Sequence, residues 1–235
     1  MTRRNHLGQP IGEDVLGWTG AKWPERRVLK GRYCSVAPLS AKAHARALYD
    51  AYARDESASV WTYMYVGPFE NFADFERLIA AYEVAKDPHY FAILDTEGAP
   101  IGIASLMRIK PDAGSIEVGG IAYAPVLQRT PAATEAMSLL MRYAFEDLGY
   151  RRYEWKCDAL NAPSRRAAIR LGFQYEGLFR QALVYKGRNR DTAWFAITDQ
   201  DWPKIKAAHD AWLSPDNFDS EGTQRQSLST LISSC

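Results

Sequence analysis

The segment QRTPAA, residues 128–133, combines a single positive charge with residue types that begin a helix. Arg129 is the only charged residue between positions 122 and 134, Thr130 is a typical N-cap residue, and Pro131 suits a first helical turn. The first N–H groups of a helix lack intrahelical acceptors, so a helix start beside a guanidinium favours anion binding. The segment therefore indicates either a phosphate or diphosphate site or an ordinary strand–helix joint.

A second segment, NAPSRRAAIRLGF at residues 161–173, is typical of a short helix between two strands. Asn161 would cap this helix, Pro163 lies in its first turn, and Gly172 would end it. Asn161 and Ser164 would then be exposed at its start. The segment predicts either a structural spacer or a helix N-terminus directed into a cleft.

The composition limits the classes of function. The chain has 235 residues, of which 47% are hydrophobic and 24% charged, as in an ordinary globular protein with one substantial core. Its net charge of +1 gives no reason to expect a nucleic acid or a membrane surface as a partner. The GxxxxGK[ST], GxGxxG, HExxH and GxSxG motifs are absent, which argues against the simplest nucleotide hydrolases, dehydrogenases, zinc proteases and serine hydrolases.

The cysteines and histidines predict neither a disulfide framework nor a metal site. The three cysteines are odd in number and widely spaced, no CxxC pair occurs, and the four histidines lie far apart. The N-terminal charges are not followed by an apolar stretch, and no apolar run reaches roughly 18 residues, which predicts no signal peptide and no membrane span. We therefore expect a cytoplasmic protein without a metal cofactor.

The residue pattern divides the chain into three parts. Residues 1–32 have no periodicity and predict an irregular arm held by Trp18 and Trp23, residues 33–213 predict one folded domain, and residues 214–235 predict a loosely ordered tail. Within the domain, the periodicity predicts the order β-α-α-β-β-β-α-β-α-β-β. Hairpins combined with single crossover helices predict an α+β fold with a single mixed, mostly antiparallel sheet flanked by helices.

The order of elements and the two segments above together resemble the GNAT superfamily of acyl-CoA-dependent N-acetyltransferases, over about residues 33–200. The resemblance is closest to the branch of the ribosomal-protein N-terminal acetyltransferases. In that branch, an N-x-x-S motif recurs that is followed by a helix ending in Gly-Phe. The segment YKGRNRDTAWFAI is similar to the final hairpin of proteins in that branch.

This resemblance implies transfer of an acetyl group from acetyl-CoA to a primary amine by direct attack in a ternary complex. The strands over 115–125 and 152–158 would separate, and the pantetheine arm would pair with the backbone around Ile121 and Tyr123. Asn161 would also bind this arm. The diphosphate would be held by Gln128, Arg129, Thr130, Pro131, Ala132 and Ala133. The acceptor would be a protein N-terminus or a small molecule, and the enzyme a monomer or homodimer.

Two positions depart from the family pattern. The phosphate loop of the family usually reads Q/R-x-x-G-x-G/A, and Pro131 replaces its first glycine, which removes one N–H donor. Many members carry a tyrosine seven residues after the Asn, proposed to protonate the leaving thiolate, and Ala168 occupies that position. Either Ser164 supplies this proton or the thiolate leaves without a dedicated acid.

Glu117, Ser164 and Asn161 are therefore the predicted catalytic residues. By alternation Glu117 shares a strand face with Gly119 and Ile121, a face that otherwise lacks charge. Partial burial there would raise its pKa toward that of a general base acting through water. The simpler alternatives are a surface position for Glu117 and a helix cap alone for Asn161.

Aromatic residues are concentrated at positions 60–75. The three phenylalanines from 69 to 75 have the spacing of a buried helix face, whereas we expect Trp61, Tyr63 and Tyr65 to line an acceptor pocket. On the last hairpin, the cations at positions 186, 188 and 190 suit either an acidic acceptor or, more simply, a solvated turn.

Two other functions stay open at this stage. The chain could be a module that binds CoA or acyl-CoA without turnover, which Pro131 and Ala168 favour. It could also be an interaction protein with a vestigial cleft.

Overall fold

The computed structural model describes residues 3–234, which contain one sheet of eight strands. In chain order the strands are β1 (Leu29–Lys30), β2 (Ser35–Pro38), β3 (His89–Leu94), β4 (Pro100–Lys110), β5 (Ser115–Tyr123), β6 (Arg152–Asp158), β7 (Gln174–Tyr185) and β8 (Arg188–Thr198). Their order across the sheet is β1-β2-β3-β4-β5-β6-β8-β7.

Neighbouring strands are antiparallel except β5 and β6, which run parallel. A parallel pair requires a crossover connection, and this one contains the helix α3 (Pro131–Arg142). The prediction of a single mixed, mostly antiparallel sheet is confirmed.

Six α-helices flank the sheet in the described part of the chain. They are α1 (Ala41–Tyr52), α2 (Phe72–Val84), α3, α4 (Ala162–Arg170), α5 (Trp202–Leu213) and α6 (Leu228–Ser234). On one face of the sheet, Leu48 of α1 and Phe75 of α2 are buried with Ile103 of β4. On the other face, Leu140 of α3 is buried with Phe91 of β3. Between residues 3 and 234, no helix is both long and apolar enough to cross a membrane.

The N-terminal arm is held by one of its two tryptophans. Trp18 Nε1 donates to Asp112 O at 2.9 Å, and its ring lies close against Gly114, where an added Cβ would approach it to 2.7 Å. Trp23 differs from the expectation, because its side chain is 45% exposed and lines an open surface groove with Arg26. The arm is therefore fixed by Trp18 and by the pairing of β1 with β2.

Residues 214–234 are more ordered than their polar composition predicts. Helix α6 packs against α5, and Leu228 is completely buried in the core cluster. Asn217 Nδ2 donates to Trp212 O at 3.1 Å, and its Oδ1 accepts from Gln226 N at 2.9 Å. One buried leucine and a buried asparagine thus anchor a segment whose average composition is that of a loose tail.

The anchoring role of Leu228 can be tested by shortening its side chain. Leu228→Ala is expected to lower the free energy of unfolding by about 2–5 kcal/mol, because it leaves a cavity in the core. Leu16→Ala removes the same atoms from a side chain that is 90% exposed, and we expect a change below about 0.5 kcal/mol. Small and equal effects of both substitutions in urea unfolding would show that the tail is not part of the folded core.

Candidate active site

β5 and β6 pair over only part of their length, and this opens the sheet near its centre. The parallel register joins residues 115–118 to residues 152–155. Beyond residue 118, β5 pairs only with β4. Beyond residue 155, β6 pairs only with β8. A wedge-shaped opening therefore lies between residues 119–123 and 156–158, as the family resemblance implies.

Gly120 shapes the β5 border of this opening. Its φ is +57°, and the register between β4 and β5 shifts here, between Ile103 and Ser105. A Cβ on Gly120 would lie 2.9 Å from Tyr90 Cε1 and 3.2 Å from Ser105 Oγ. Glycine alone suits this position, and the resulting bulge redirects the backbone that follows it.

The backbone groups of Tyr123 face the opening. Ala124 N donates to Ile101 O at 3.0 Å. Since successive residues of a strand direct their N–H and C=O groups to opposite sides, those of Tyr123 point away from β4. The Tyr123 carbonyl accepts from Gln128 Nε2 at 3.0 Å, which holds the following loop beside the strand edge. Ile121 is half-buried on the same border.

The start of α3 follows directly after this border. Thr130 caps the helix as predicted: its Oγ1 accepts from Ala133 N at 3.2 Å and donates to Leu127 O at 2.7 Å. Pro131 occupies the first turn. Residues 128–133 are all half-buried or exposed, so the helix start is open to solvent.

Three backbone amides at this helix start are free. The N–H groups of Arg129, Thr130 and Ala132 have no acceptor among residues 3–234. Arg129 has a left-handed φ of +62°, and its exposed side chain forms no ion pair with a carboxylate of those residues. Free amides, the positive end of a helix and an unpaired guanidinium together suit a phosphate or diphosphate group.

Asn161 and Ser164 lie at the β6 border of the opening. Asn161 caps α4, its Oδ1 accepting from Ser164 N at 3.1 Å. Ser164 Oγ accepts from Trp155 Nε1 at 3.0 Å, and Trp155 is the last residue of β6 that pairs with β5. This hydrogen bond fixes the half-buried serine next to the point where the strands separate.

Glu117 is buried and faces two cations. Its side chain is 4% exposed, and its Oε2 lies 2.7 Å from Arg108 Nε and 2.8 Å from Lys156 Nζ. Both are close ion pairs without the angles of regular hydrogen bonds. The expectation of a face without other charges is wrong, because Lys156 comes from the adjacent strand β6 and Arg108 from the end of β4. Alternation along one strand does not reveal partners on its neighbours.

The charges around Glu117 act on its pKa in opposite directions. Burial raises the pKa of Glu117, and the opposite charges of Lys156 and Arg108 reduce this rise without cancelling it. Lys156 Nζ also lies 2.7 Å from Glu154 Oε2. Burial acts to raise the pKa of Glu154 too, but hydrogen bonds from Lys156 and Arg152 outweigh it and hold that pKa below its usual value. Lys156 therefore joins two carboxyl groups of different proton affinity.

The aromatic loop, residues 59–70, places its three predicted pocket residues in different environments. Trp61 is 5% exposed and packs edge-on against three other aromatic rings, so it belongs to the core, which corrects its prediction as a pocket wall. Tyr63 OH donates to Leu160 O at 3.1 Å, which links the loop to the start of α4. Tyr65 is 56% exposed.

The tip of the β7–β8 hairpin fastens the aromatic loop. Lys186 Nζ donates to the carbonyls of Trp61 and Gly67, at 2.9 and 2.6 Å, and Arg188 Nη2 donates to Thr62 O at 2.7 Å. Lys186 and Arg188 are exposed, as a solvated turn implies, and they also bind the aromatic loop. Arg190, on the same hairpin, is only 7% exposed.

Several residues of the site could not be predicted from the sequence. Lys156 and Arg108 reach Glu117 only through the sheet register. Arg170 Nη1 donates at 3.0 Å to Thr134 Oγ1 in the first turns of α3, 36 positions earlier in the chain. The one available signal is the alternation along β6, which places residues 154, 156 and 158 on one face without indicating what they meet.

Residues 3–234 contain no group of three or more His, Cys, Asp or Glu side chains that could hold a metal ion. Cys34 and Cys157 are buried and not joined in a disulfide, and burial raises the pKa of both thiols. Protonated thiols are poor metal ligands and poor nucleophiles. Cys235 lies outside the described residues.

Comparison with known proteins agrees with this geometry. The family described as "Acetyltransferase (GNAT) domain" matches residues 36–174. A crystal structure of a GCN5-related N-acetyltransferase from Brucella melitensis superposes with a TM-score of 0.91 at 45% identity, covering 93% of this chain and 100% of that one. RimL, a ribosomal L7/L12 alpha-N-protein acetyltransferase in complex with coenzyme A, shares the fold, with a TM-score of 0.62 at 17% identity over 73% of this chain and 98% of that one.

Curated relatives match over shorter stretches. The uncharacterized N-acetyltransferase YnaD of Bacillus subtilis is 27% identical over 86 residues, which are 37% of this chain and 50% of that protein. The uncharacterized N-acetyltransferase p20 of Bacillus licheniformis is 36% identical over 70 residues, 30% of this chain and 39% of that protein. The chain thus spans half or less of the curated relatives it matches. The domain match covers more than half of the chain, and on this evidence the chain belongs to the GNAT acetyltransferase family.

Proposed function

We propose that this chain transfers an acetyl group from acetyl-CoA to a primary amine, which is a protein N-terminus or a small molecule, by direct attack in a ternary complex. The observation that carries the proposal is the opening between β5 and β6 beyond residues 118 and 155. It leaves backbone groups on β5 without a strand partner and lies next to a helix start with free amides.

The cofactor would lie along the β5 border. The pantetheine amides would pair with the backbone around Ile121 and Tyr123, with Asn161 as a further contact. The diphosphate would accept from the free amides of the loop and helix start at residues 128–133. Pro131 contributes no N–H there, and the exposed Arg129 guanidinium would supply charge in its place.

The amine would lose its proton to Glu117 through a water molecule. A general base works best with a pKa near the working pH, and burial raises the pKa of Glu117 in that direction. The positive charges of Lys156 and Arg108 reduce this rise in the pKa of Glu117, so they favour the ionised carboxylate that can accept a proton. Direct attack by the amine on the thioester needs no covalent enzyme intermediate.

Ser164 would pass a proton to the leaving thiolate and regain one from solvent, or the thiolate would leave without a dedicated acid. Ala168, at the position where many members carry a tyrosine, is completely buried and has no proton to give. The Trp155 indole donates to Ser164 Oγ, and this polarises the hydroxyl so that its own proton is a better donor.

A second candidate function is CoA binding without turnover, which Pro131 and Ala168 favour because each replaces a group that the family uses. Two assays separate the functions. CoA is expected to raise the melting temperature in both cases. Release of free thiol from acetyl-CoA with protein N-terminal peptides, amino acids, polyamines or amine-bearing antibiotics is expected only for the enzyme. CoA-dependent stabilisation without thiol release would support the binding module, and the absence of both would exclude either function.

The bulge at Gly120 provides a test of cofactor binding. Gly120→Ala is expected to weaken CoA binding about tenfold or more in calorimetry, because the methyl group collides with Tyr90 and moves the β5 border. Gly177→Ala is the matched control, since an added Cβ there meets nothing within 4 Å. CoA affinity that is equal in the wild type and in Gly120→Ala would contradict the placement of the cofactor.

Replacing the proposed base tests the chemical step. Glu117→Gln is expected to lower kcat by about 10²- to 10⁴-fold with little change in CoA affinity, because only proton transfer is removed. Glu97→Gln, which changes an exposed carboxylate in the turn between β3 and β4, serves as the control. An unchanged kcat with a good acceptor at neutral pH would remove Glu117 from the mechanism.

The charge of Lys156 predicts the pH dependence. Lys156 lowers the pKa of Glu117, so Lys156→Met is expected to raise that pKa further and to move the acid limb of the kcat/KM profile to higher pH. Arg108→Met is expected to act in the same direction, and its half-exposed side chain makes misfolding a minor concern. Acid limbs that stay in place in both variants would show that Glu117 does not control the profile.

A further inference from the structure

Arg190 lies just beyond the end of β6. Thr192 pairs with Asp158, the last residue of β6, and Arg190 precedes Thr192 by two positions. Arg190 Nε donates to Thr192 Oγ1 at 3.1 Å, so the two side chains share a face of the sheet. Arg190 therefore stands at the wide end of the opening.

The same face carries Glu117. By alternation Thr192 shares it with Trp194, whose ring centroid lies 3.7 Å from Lys156 Nζ. Lys156 Nζ in turn lies 2.8 Å from Glu117 Oε2. Arg190 and the proposed base thus border the same side of the opening, where an acceptor would approach the thioester.

The Arg190 side chain is 7% exposed and has only neutral partners. Besides Thr192, its Nη1 donates to Tyr65 OH at 3.3 Å, and its guanidinium carbon lies 5.6 Å from the centroid of the Tyr65 ring. No carboxylate within residues 3–234 comes within 4.0 Å of its nitrogens. Its Nη2 has no acceptor among those residues, and it is not fully enclosed by protein.

The neighbouring charges are already engaged. The Asp158 carboxylate accepts from Tyr185 OH and from Leu160 N, each at 2.8 Å. The other two cations of the hairpin tip donate to main-chain carbonyls of the aromatic loop. Arg190 is therefore the buried cation of this hairpin, and its Nη2 group is available as a donor.

A buried guanidinium without a carboxylate partner costs free energy, and an anion that enters the opening would offset this cost. The planar fork of arginine matches the two oxygens of a carboxylate, the anionic group that amino acids and peptides commonly carry. We propose that Arg190 binds a carboxylate of the acceptor, so that the acceptor is a primary amine that also carries a carboxylate. This inference rests on the proposed acetyl transfer and narrows its substrate class.

The preference for a carboxylate can be measured with matched acceptors. Free amino acids are compared with their carboxamides, and peptides with Asp after the N-terminal residue are compared with peptides that have Asn there, by thiol release from acetyl-CoA. The wild type is expected to favour the carboxylate member of at least one set by about 10- to 100-fold in kcat/KM. A preference among the free amino acids would indicate a small acceptor, and a preference among the peptides would indicate a protein N-terminus.

Variants assign the preference to Arg190. Arg190→Met is expected to remove the preference for carboxylates by raising KM for the carboxylate acceptor more than KM for the carboxamide. Arg190→Lys keeps the charge without the fork and is expected to keep part of the preference. Arg180→Met is the matched control, because it removes an exposed arginine from the neighbouring strand β7. A wild type without preference, or an Arg190→Met variant that retains it, would overturn the proposal.

A binding experiment separates this proposal from the proposed function. N-acetylated amino acids and their carboxamides are titrated calorimetrically into the protein with CoA present, which needs no turnover. Tighter binding of the carboxylates by the wild type, lost in Arg190→Met, would support the Arg190 subsite even if no amine were acetylated. Equal binding of both ligand types by the wild type would overturn it even if acetyl transfer were observed.

Discussion

The structure depends on the early end of the pairing between β5 and β6. Four residue pairs join these strands, after which each continues with a different neighbour. Backbone groups at such a border require partners from elsewhere. Gln128 supplies one of them by donating to the Tyr123 carbonyl, and the remainder of the border is open to a ligand with amide groups of its own. Gly120 on one strand and Trp155 on the other mark the point where the strands separate.

The opening has two sides with different chemistry. On the side of α3, free amides and the Arg129 guanidinium favour an anion. On the side of the aromatic loop, Glu117 is buried beside two cations, and Lys156 connects it to Glu154. Buried ion pairs contribute little to stability compared with apolar residues of similar size, because their desolvation costs about as much as their attraction returns. Stability alone therefore does not account for this buried cluster, which under the proposed function serves proton transfer.

The sequence predicts the parts of the site that depend on local chemistry. The caps Thr130 and Asn161, the sheet type and the order of the elements follow from residue types and periodicity. The charged neighbours of Glu117 do not, because Lys156 reaches it only through the register of two strands that are distant in sequence. Trp61 illustrates a second limit: its position in the chain suggests a pocket wall, but packing against other rings decides its place in the core.

The most direct test of the account is a titration of the ¹⁵N-labelled protein with CoA, followed by the backbone amide resonances. If the cofactor lies along β5 with its diphosphate at the start of α3, the largest changes will occur at Tyr123, Arg129, Thr130 and Ala132. Binding that leaves these amides unchanged, and shifts instead those near the groove at Trp23, would contradict it.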